Sequence, residues 1–196
     1  MLERIAAGVE YGNVGLAVVH NVHREEDECA LVAACALPGG AATGSYDRSL
    51  RVWNTVAGAC LAVVPDAHGD GRASIILAAR ALPGGAATGS YGGDVQRWKW
   101  DEGANALTPD GAALQPGGNW TDSMQLGGPV SWLAAATRPD GALQLLAGGS
   151  RDSSLRVVGA GASGALQLQA ALGGHSAPIR VAVMRRGAET SDRMAV

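Results

Sequence analysis

Short apolar runs recur along the chain, each closed by a turn. Leu16–Val19 is the first, long enough for one strand. The acidic cluster Glu25–Glu28 then reads as a solvated loop. Cys29–Leu37 is almost continuously apolar, the pattern of a strand buried on both faces. Pro38-Gly39-Gly40 is a turn, and Ala41–Ser45 is a second short strand. Ser49–Asn54 alternates as a third strand, and Cys60–Val64 is a fourth. Four short strands joined by tight turns make one antiparallel unit. The pattern then restarts with Ser74–Leu82, the turn Pro83-Gly84-Gly85, Ala86–Ser90 and Asp94–Trp98. Residues 99–127 are rich in Gly and Pro and read as a long insertion between units. A third unit follows: Val130–Ala136, the turn Arg138–Gly141, Leu143–Gly149 and Ser154–Val158, with Ala165–Ala170 as its fourth strand. Gly174-His175 opens a fourth unit, with Ile179–Met184 as its first strand. Residues 1–13 form an N-terminal segment of little signal, 14–184 carry the repeated units, and 185–196 form a polar tail.

The repetition is literal in one place. Residues 36–46 read ALPGGAATGSY, and residues 81–91 repeat all of it, 45 positions later. A period of this size marks an array of supersecondary units. The spacing inside the units matters more than the duplicate. From His23 to Ser45 is 22 positions and to Trp53 is 30; from His68 to Ser90 and Trp98 the intervals are the same. From Gly128, Ser150 and Val158 stand at 22 and 30 again, although this unit has neither the His nor the Trp.

The matching pieces are Ser45-Tyr46-Asp47 with Leu50-Arg51-Val52-Trp53-Asn54, Ser90-Tyr91 with Val95-Gln96-Arg97-Trp98, and Ser150-Arg151-Asp152 with Leu155-Arg156-Val157-Val158. With Gly174-His175 as the opening of a further repeat, this pattern resembles the WD40 repeat family over residues 15–184. The resemblance implies an all-β fold of four-stranded blades set radially as a β-propeller. About three complete blades and the start of a fourth are expected, an incomplete propeller. It also implies a hydrogen-bonded chain in each blade, running from the His through the Ser or Thr and the turn Asp to the Trp indole. A buried imidazole or indole needs such partners. His23, Ser45, Asp47 and Trp53 make a full set. The second unit has His68, Ser90 and Trp98 but Gly92 at the Asp position. The third keeps Ser150 and Asp152 and should rely on apolar packing, and His175 opens the fourth. Family resemblance also places Tyr46, Tyr91 and Arg151 on one rim, where partners dock; Tyr and Arg are common interface anchors.

Composition narrows the function classes. A net charge of −3 gives no support for a nucleic-acid or anionic-membrane surface. Fourteen Arg against the single Lys99, no Phe and abundant Ala and Gly fit a GC-rich coding sequence, so the Arg excess is no sign of phosphate recognition. Cys29, Cys35 and Cys60 are too few and too irregular for a disulfide framework or a zinc site and read as buried reduced thiols. The N-terminus shows no signal peptide or membrane span, which makes cytoplasm the expectation, with nucleus as the other choice.

Catalytic and metal readings are weaker than structural ones. The 45-residue phase of His23 and His68, shared in pattern with His175, makes these histidines parts of the repeat, and no Cys or acidic residue recurs beside them at ligand spacing. His20 lies off the ruler and reads as a surface residue. No G-x-S-x-G elbow surrounds Ser45 or Ser90, and no phosphate-binding loop is present among the glycines. Asp47 and Asp152 read as turn acceptors. Trp100, Trp120 and Trp132 lie off the ruler, with Trp120 expected at the surface. Met184-Arg185-Arg186-Gly187 resembles the Phe/Leu-Arg-Arg-Gly motif of phosphoinositide-binding propellers, but Met replaces the first residue and a chance match is the better reading. On the ruler, the Ser and Trp after His175 fall at positions 197 and 205, so the sequence predicts a stop inside a blade at Val196.

The expectation is therefore a non-catalytic protein-interaction scaffold or adaptor in a larger complex, with other proteins as partners and no cofactor or metal. The alternatives are a truncated or degenerate propeller fragment and, with less support, a phosphoinositide-binding propeller.

Overall fold

Strand-forming runs of this length cannot bury their backbone groups alone, so each pairs with the next across a short turn. The computed structural model describes residues 31–110, 124–125, 128–138, 142–148, 155–160 and 166–173. Within them lie three antiparallel sheets. The first is β1 (Leu31–Leu37), β2 (Gly40–Ser45), β3 (Leu50–Asn54) and β4 (Ala59–Val64), paired in chain order. The second is β5 (Ile76–Leu82), β6 (Gly85–Ser90), β7 (Asp94–Asp101) and β8 (Ala106–Pro109), with β9 (Met124–Gln125) also on β7. The third is β10 (Trp132–Thr137), β11 (Leu143–Gly148), β12 (Leu155–Ala160) and β13 (Leu166–Leu172). The only helical element described is one 3-10 turn at Arg72–Ser74.

The duplicated stretch is the first hairpin of the first and second sheets. Pro38 sets the turn, and Gly39 takes φ 74°, the left-handed position of a type II turn. Gly84 takes the same φ. Gly44 and Gly89 have a different reason. A Cβ on Gly44 would overlap Ile76 of the second sheet, and one on Gly89 would overlap Val130 at the entry to the third. The missing side chain is what lets consecutive sheets close up.

The sheets pack in series. Leu50, Val52 and Ala42 of the first sheet meet Ile76, Ala86, Trp98 and Trp100 of the second in one buried cluster. Ala78, Ala87 and Val95 of the second meet Val130, Leu133, Leu145 and Val158 in another. The packing runs from first to second to third sheet, and the described set is not closed into a ring.

Two stretches differ from the sequence expectation. The run ending at Leu37 is buried on one face only: Ala33 and Leu37 are covered, while Leu31 and Val32 are exposed. The second sheet lies against only one side of β1, and continuous apolarity does not distinguish this from burial on both sides. Of residues 99–127, the described stretches 99–101, 106–109 and 124–125 belong to the second sheet itself. Strand β7 runs on to Asp101, β8 pairs with its C-terminal half, and β9 pairs with Asp94 and Val95 at its N-terminal end. The outer edge of this sheet is thus built in two pieces. Leu16–Val19, Ile179–Met184 and the 185–196 tail lie outside the described residues.

Candidate functional site

Among the described residues, the second sheet holds Thr88, Ser90, Asp94 and Gln96 as buried polar side chains, more than either other sheet. Register places Trp98 opposite Ala86 and therefore diagonal to Thr88, two residues along β6. The Trp98 indole donates to Thr88 Oγ1 at 2.7 Å, and the same hydroxyl pairs with His68 Nε2 at 2.8 Å. The two rings also meet edge to face, with centroids 6.5 Å apart. Trp98 is only 1% exposed and Thr88 fully buried, so these bonds form away from water. His68 stands in the linker between the first and second sheets. Its Nδ1 is buried without a hydrogen-bond partner among the described residues. Burial drives the imidazole pKa down from its ordinary 6.5 to about 4, against the opposing pull of the Asp94 carboxylate. The ring is neutral at physiological pH.

Ser90 does not take part in this triad. It lies four residues from Ala86 along the strand, roughly 13 Å at the usual rise, beyond reach of the indole. Its hydroxyl instead donates to Asp94 Oδ2 at 3.1 Å and accepts from the Asp94 N–H at 3.0 Å. Gly92 holds the position where the first sheet has an aspartate, and Asp94, two residues on, sets its own carboxylate against Ser90.

The first sheet follows the same plan with one exchange. The Trp53 indole donates to Thr43 Oγ1 at 2.8 Å. Ser45 Oγ accepts from the Asp47 N–H at 3.2 Å. The Asp47 carboxylate accepts from the Ser49 N–H and hydroxyl at 2.8 and 2.7 Å and pairs with Arg51 at 3.4 Å. Asp47 with Ser49 in the first sheet thus becomes Gly92 with Asp94 in the second. His23 lies outside the described residues.

The third sheet dispenses with the polar pair. Leu145 stands opposite Val158, as Ala86 stands opposite Trp98. Ala147 faces Arg156 as Thr88 faces Gln96. The large ring has become Val, the small partner has become Leu, and the hydroxyl has gone. Leu145, Ala147 and Val158 are all fully buried. Ser150, Arg151, Asp152 and His175 lie outside the described residues, as does the Arg185-Arg186-Gly187 stretch.

Thr43, Thr88 and Asp94 are the members that the sequence reading missed. The signal for the threonines was present: each lies two residues before the serine, on the same strand face, and one step closer to the Trp. Trp100 and Trp132 are buried in packing clusters, and Trp120 lies outside the described residues.

At the rim, Tyr46 follows β2 and Tyr91 follows β6 at the same point of the two sheets. Tyr46 is 43% exposed and Tyr91 half-buried, its N–H donating to the Ile75 carbonyl at 2.8 Å. Beside Tyr46, Arg48 pairs with Asp66 at 2.9 Å. Among the described residues no three His, Cys, Asp or Glu side chains gather as metal ligands, and no helix is long and apolar enough to cross a membrane. Cys35 and Cys60 are free thiols; burial pushes Cys35 up to about 11, against the Arg80 charge and a backbone hydrogen bond from Ala42.

No family model and no curated protein matches the sequence. Solved structures do match the fold. The WD40 repeats of RRP9 are similar over 81% of this chain and 42% of that one, at 20% identity and a TM-score of 0.55. U3-55K gives 19% identity, TM-score 0.55, and 81% and 43% coverage. The computationally designed Ika4 protein gives 18% identity and TM-score 0.52, with 84% of both chains covered. The chain thus spans about two fifths of the length of the RRP9 and U3-55K structures. Its sheets have the fold of WD40-type propeller blades, three of them among the described residues, in an arrangement that is not closed.

Proposed function

We propose that this chain is a non-catalytic docking module that binds another protein through the rim carrying Tyr46 and Tyr91. WD40-type neighbours support an interaction role in general terms. The observation that favours this rim is the equivalent placement of the two tyrosines, one exposed and one half-buried, at the same point of two consecutive blades. Arg151, the third rim candidate, belongs to the same reading. A protein partner fits better than a nucleic acid or a membrane, because the net charge is −3. The free thiols of Cys35 and Cys60 support a reducing compartment, cytoplasm or nucleus.

The test is site-specific photo-crosslinking in cells from positions 46 and 91, with position 56 as control. Val56 sits on the hairpin at the opposite end of the first sheet and is 89% exposed. The proposal expects a discrete adduct from the tyrosine positions, lost in Tyr46→Ala/Tyr91→Ala. Adducts from position 56 alone would move the docking surface to the other rim.

A further inference from the structure

The linker joining the first two sheets passes through His68, while the junction of the second and third sheets contains no described titratable side chain of this kind. The linker is tied on both sides. Ala67 N–H donates to the Arg48 carbonyl, Ser74 Oγ donates to the Asp70 carbonyl, and Tyr91 and Gly92 donate to the Ile75 and Ala73 carbonyls. At its centre, the His68 ring is clamped by Thr88 and Trp98 of the second sheet. Its other nitrogen is enclosed and has no acceptor among the described residues. A proton added to this ring creates a cation with a buried N–H that nothing receives. With both ring nitrogens protonated, Nε2–H also has to donate to Thr88 Oγ1, which then accepts from imidazole and indole together in the cluster that holds the first sheet against the second. The charged group acting on the ring is Asp94, from β7. Thr88 from β6 and Ser74 from the linker offer hydroxyls only. Asp66, two residues before His68, pairs with Arg48, and Asp70 is exposed.

The next junction is built otherwise. Its cluster is Ala78, Ala87, Val95, Val130, Leu133, Leu145, Ala147 and Val158, all apolar. Arg156 flanks it on β12.

We propose that the joint between the first and second blades is an acid-sensitive hinge, which opens in mild acid while the joint between the second and third blades holds. The sign is that of a base buried neutral. The stabilisation is fully present above 6.5, the imidazole's ordinary pKa, and is lost as pH falls toward about 4. Between pH 7 and pH 5, above the range where ordinary carboxylates titrate, one such group shifts the opening equilibrium about twentyfold.

The experiment is residue-resolved amide hydrogen exchange on the whole chain at pH 7 and pH 5, corrected for intrinsic rates. The expected result is that the amides of Ala67, Tyr91 and Gly92 lose protection about twentyfold, while Val130 and Ser131, bonded to the Ser90 and Gly148 carbonyls, change less than about threefold. In His68→Gln, which keeps a neutral hydrogen-bonding side chain, the pH dependence at the first set should vanish. Equal loss at both joints, no loss at either, or the same slope in His68→Gln would overturn the proposal. If His68→Gln does not fold, the contrast between the two joints of the unaltered chain decides alone.

Discussion

The second and third blades share strand order and pairing and differ in what fills them. In the second, Thr88 and Trp98 meet with His68 in a chain of buried hydrogen bonds, with Ala86 opposite the ring. In the third, Leu145, Ala147 and Val158 fill the matching positions with hydrocarbon alone. A polar interior fixes the placement of its rings but loses heavily when one member is removed. An apolar interior tolerates exchange so long as volume is conserved. The repeat therefore needs the blade's backbone register, and it can satisfy the interior in two chemically different ways.

Substitutions break this comparison most strongly at the ring. Trp98→Ala should lower stability by about 3–5 kcal/mol, and Val158→Ala by about 2 kcal/mol, in chemical denaturation of the chain. Comparable losses would mean that the second blade does not depend on its ring more than the third depends on its Val. Next is the hydroxyl. Thr88→Val keeps the shape but removes the hydroxyl that the Trp98 indole and the His68 imidazole share, for about 2–4 kcal/mol. The reciprocal Ala147→Thr buries a hydroxyl among Leu and Val and should cost about 1–3 kcal/mol. A stabilising Ala147→Thr would show that the third blade still has a polar partner waiting.

Glycines sharpen the comparison at the joints. Gly89→Ala should cost about 1–3 kcal/mol by pushing against Val130. At Gly84 there is open space but φ is 74°, so Ala there should cost about 1–2 kcal/mol through the backbone alone. A smaller melting shift for Gly89→Ala than for Gly84→Ala would argue against the close approach of the second and third blades. The smallest expected effect is chemical. Cys35, with its thiol pushed up to about 11, should react with iodoacetamide at pH 8 about tenfold more slowly than a free thiol of the ordinary pKa. An ordinary rate would place Cys35 outside the packed first joint.

Much of this architecture was legible in the residues. Apolar runs of strand length, Pro-Gly turns and the 22- and 30-residue intervals are local features, and local features survive into strand order. The register partners were less legible. Ser45 and Ser90 carry the spacing, yet the indoles bond Thr43 and Thr88, because cross-strand pairing sets Trp opposite Ala41 and Ala86 and leaves the serines four residues away. Asp94 is hidden because it stands two positions beyond Gly92, at the first residue of β7, where its carboxylate takes the Ser90 hydroxyl. Sequence pattern makes the outer edge of the second blade look like an insertion, because Gly and Pro signals mark breaks and β8 and β9 are short pieces on either side of such a break. Pattern reports where the chain turns, but whether it returns to the same sheet is decided by partners distant in sequence.

The most direct test of the buried chain is a double-mutant cycle on Thr88→Val and Trp98→Phe, read by equilibrium denaturation. If the hydroxyl and indole act as one unit, the double variant should be less destabilised than the sum of the singles, by about 1 kcal/mol or more. Additivity within about 0.3 kcal/mol would contradict the account and reduce the second blade to the same apolar packing as the third.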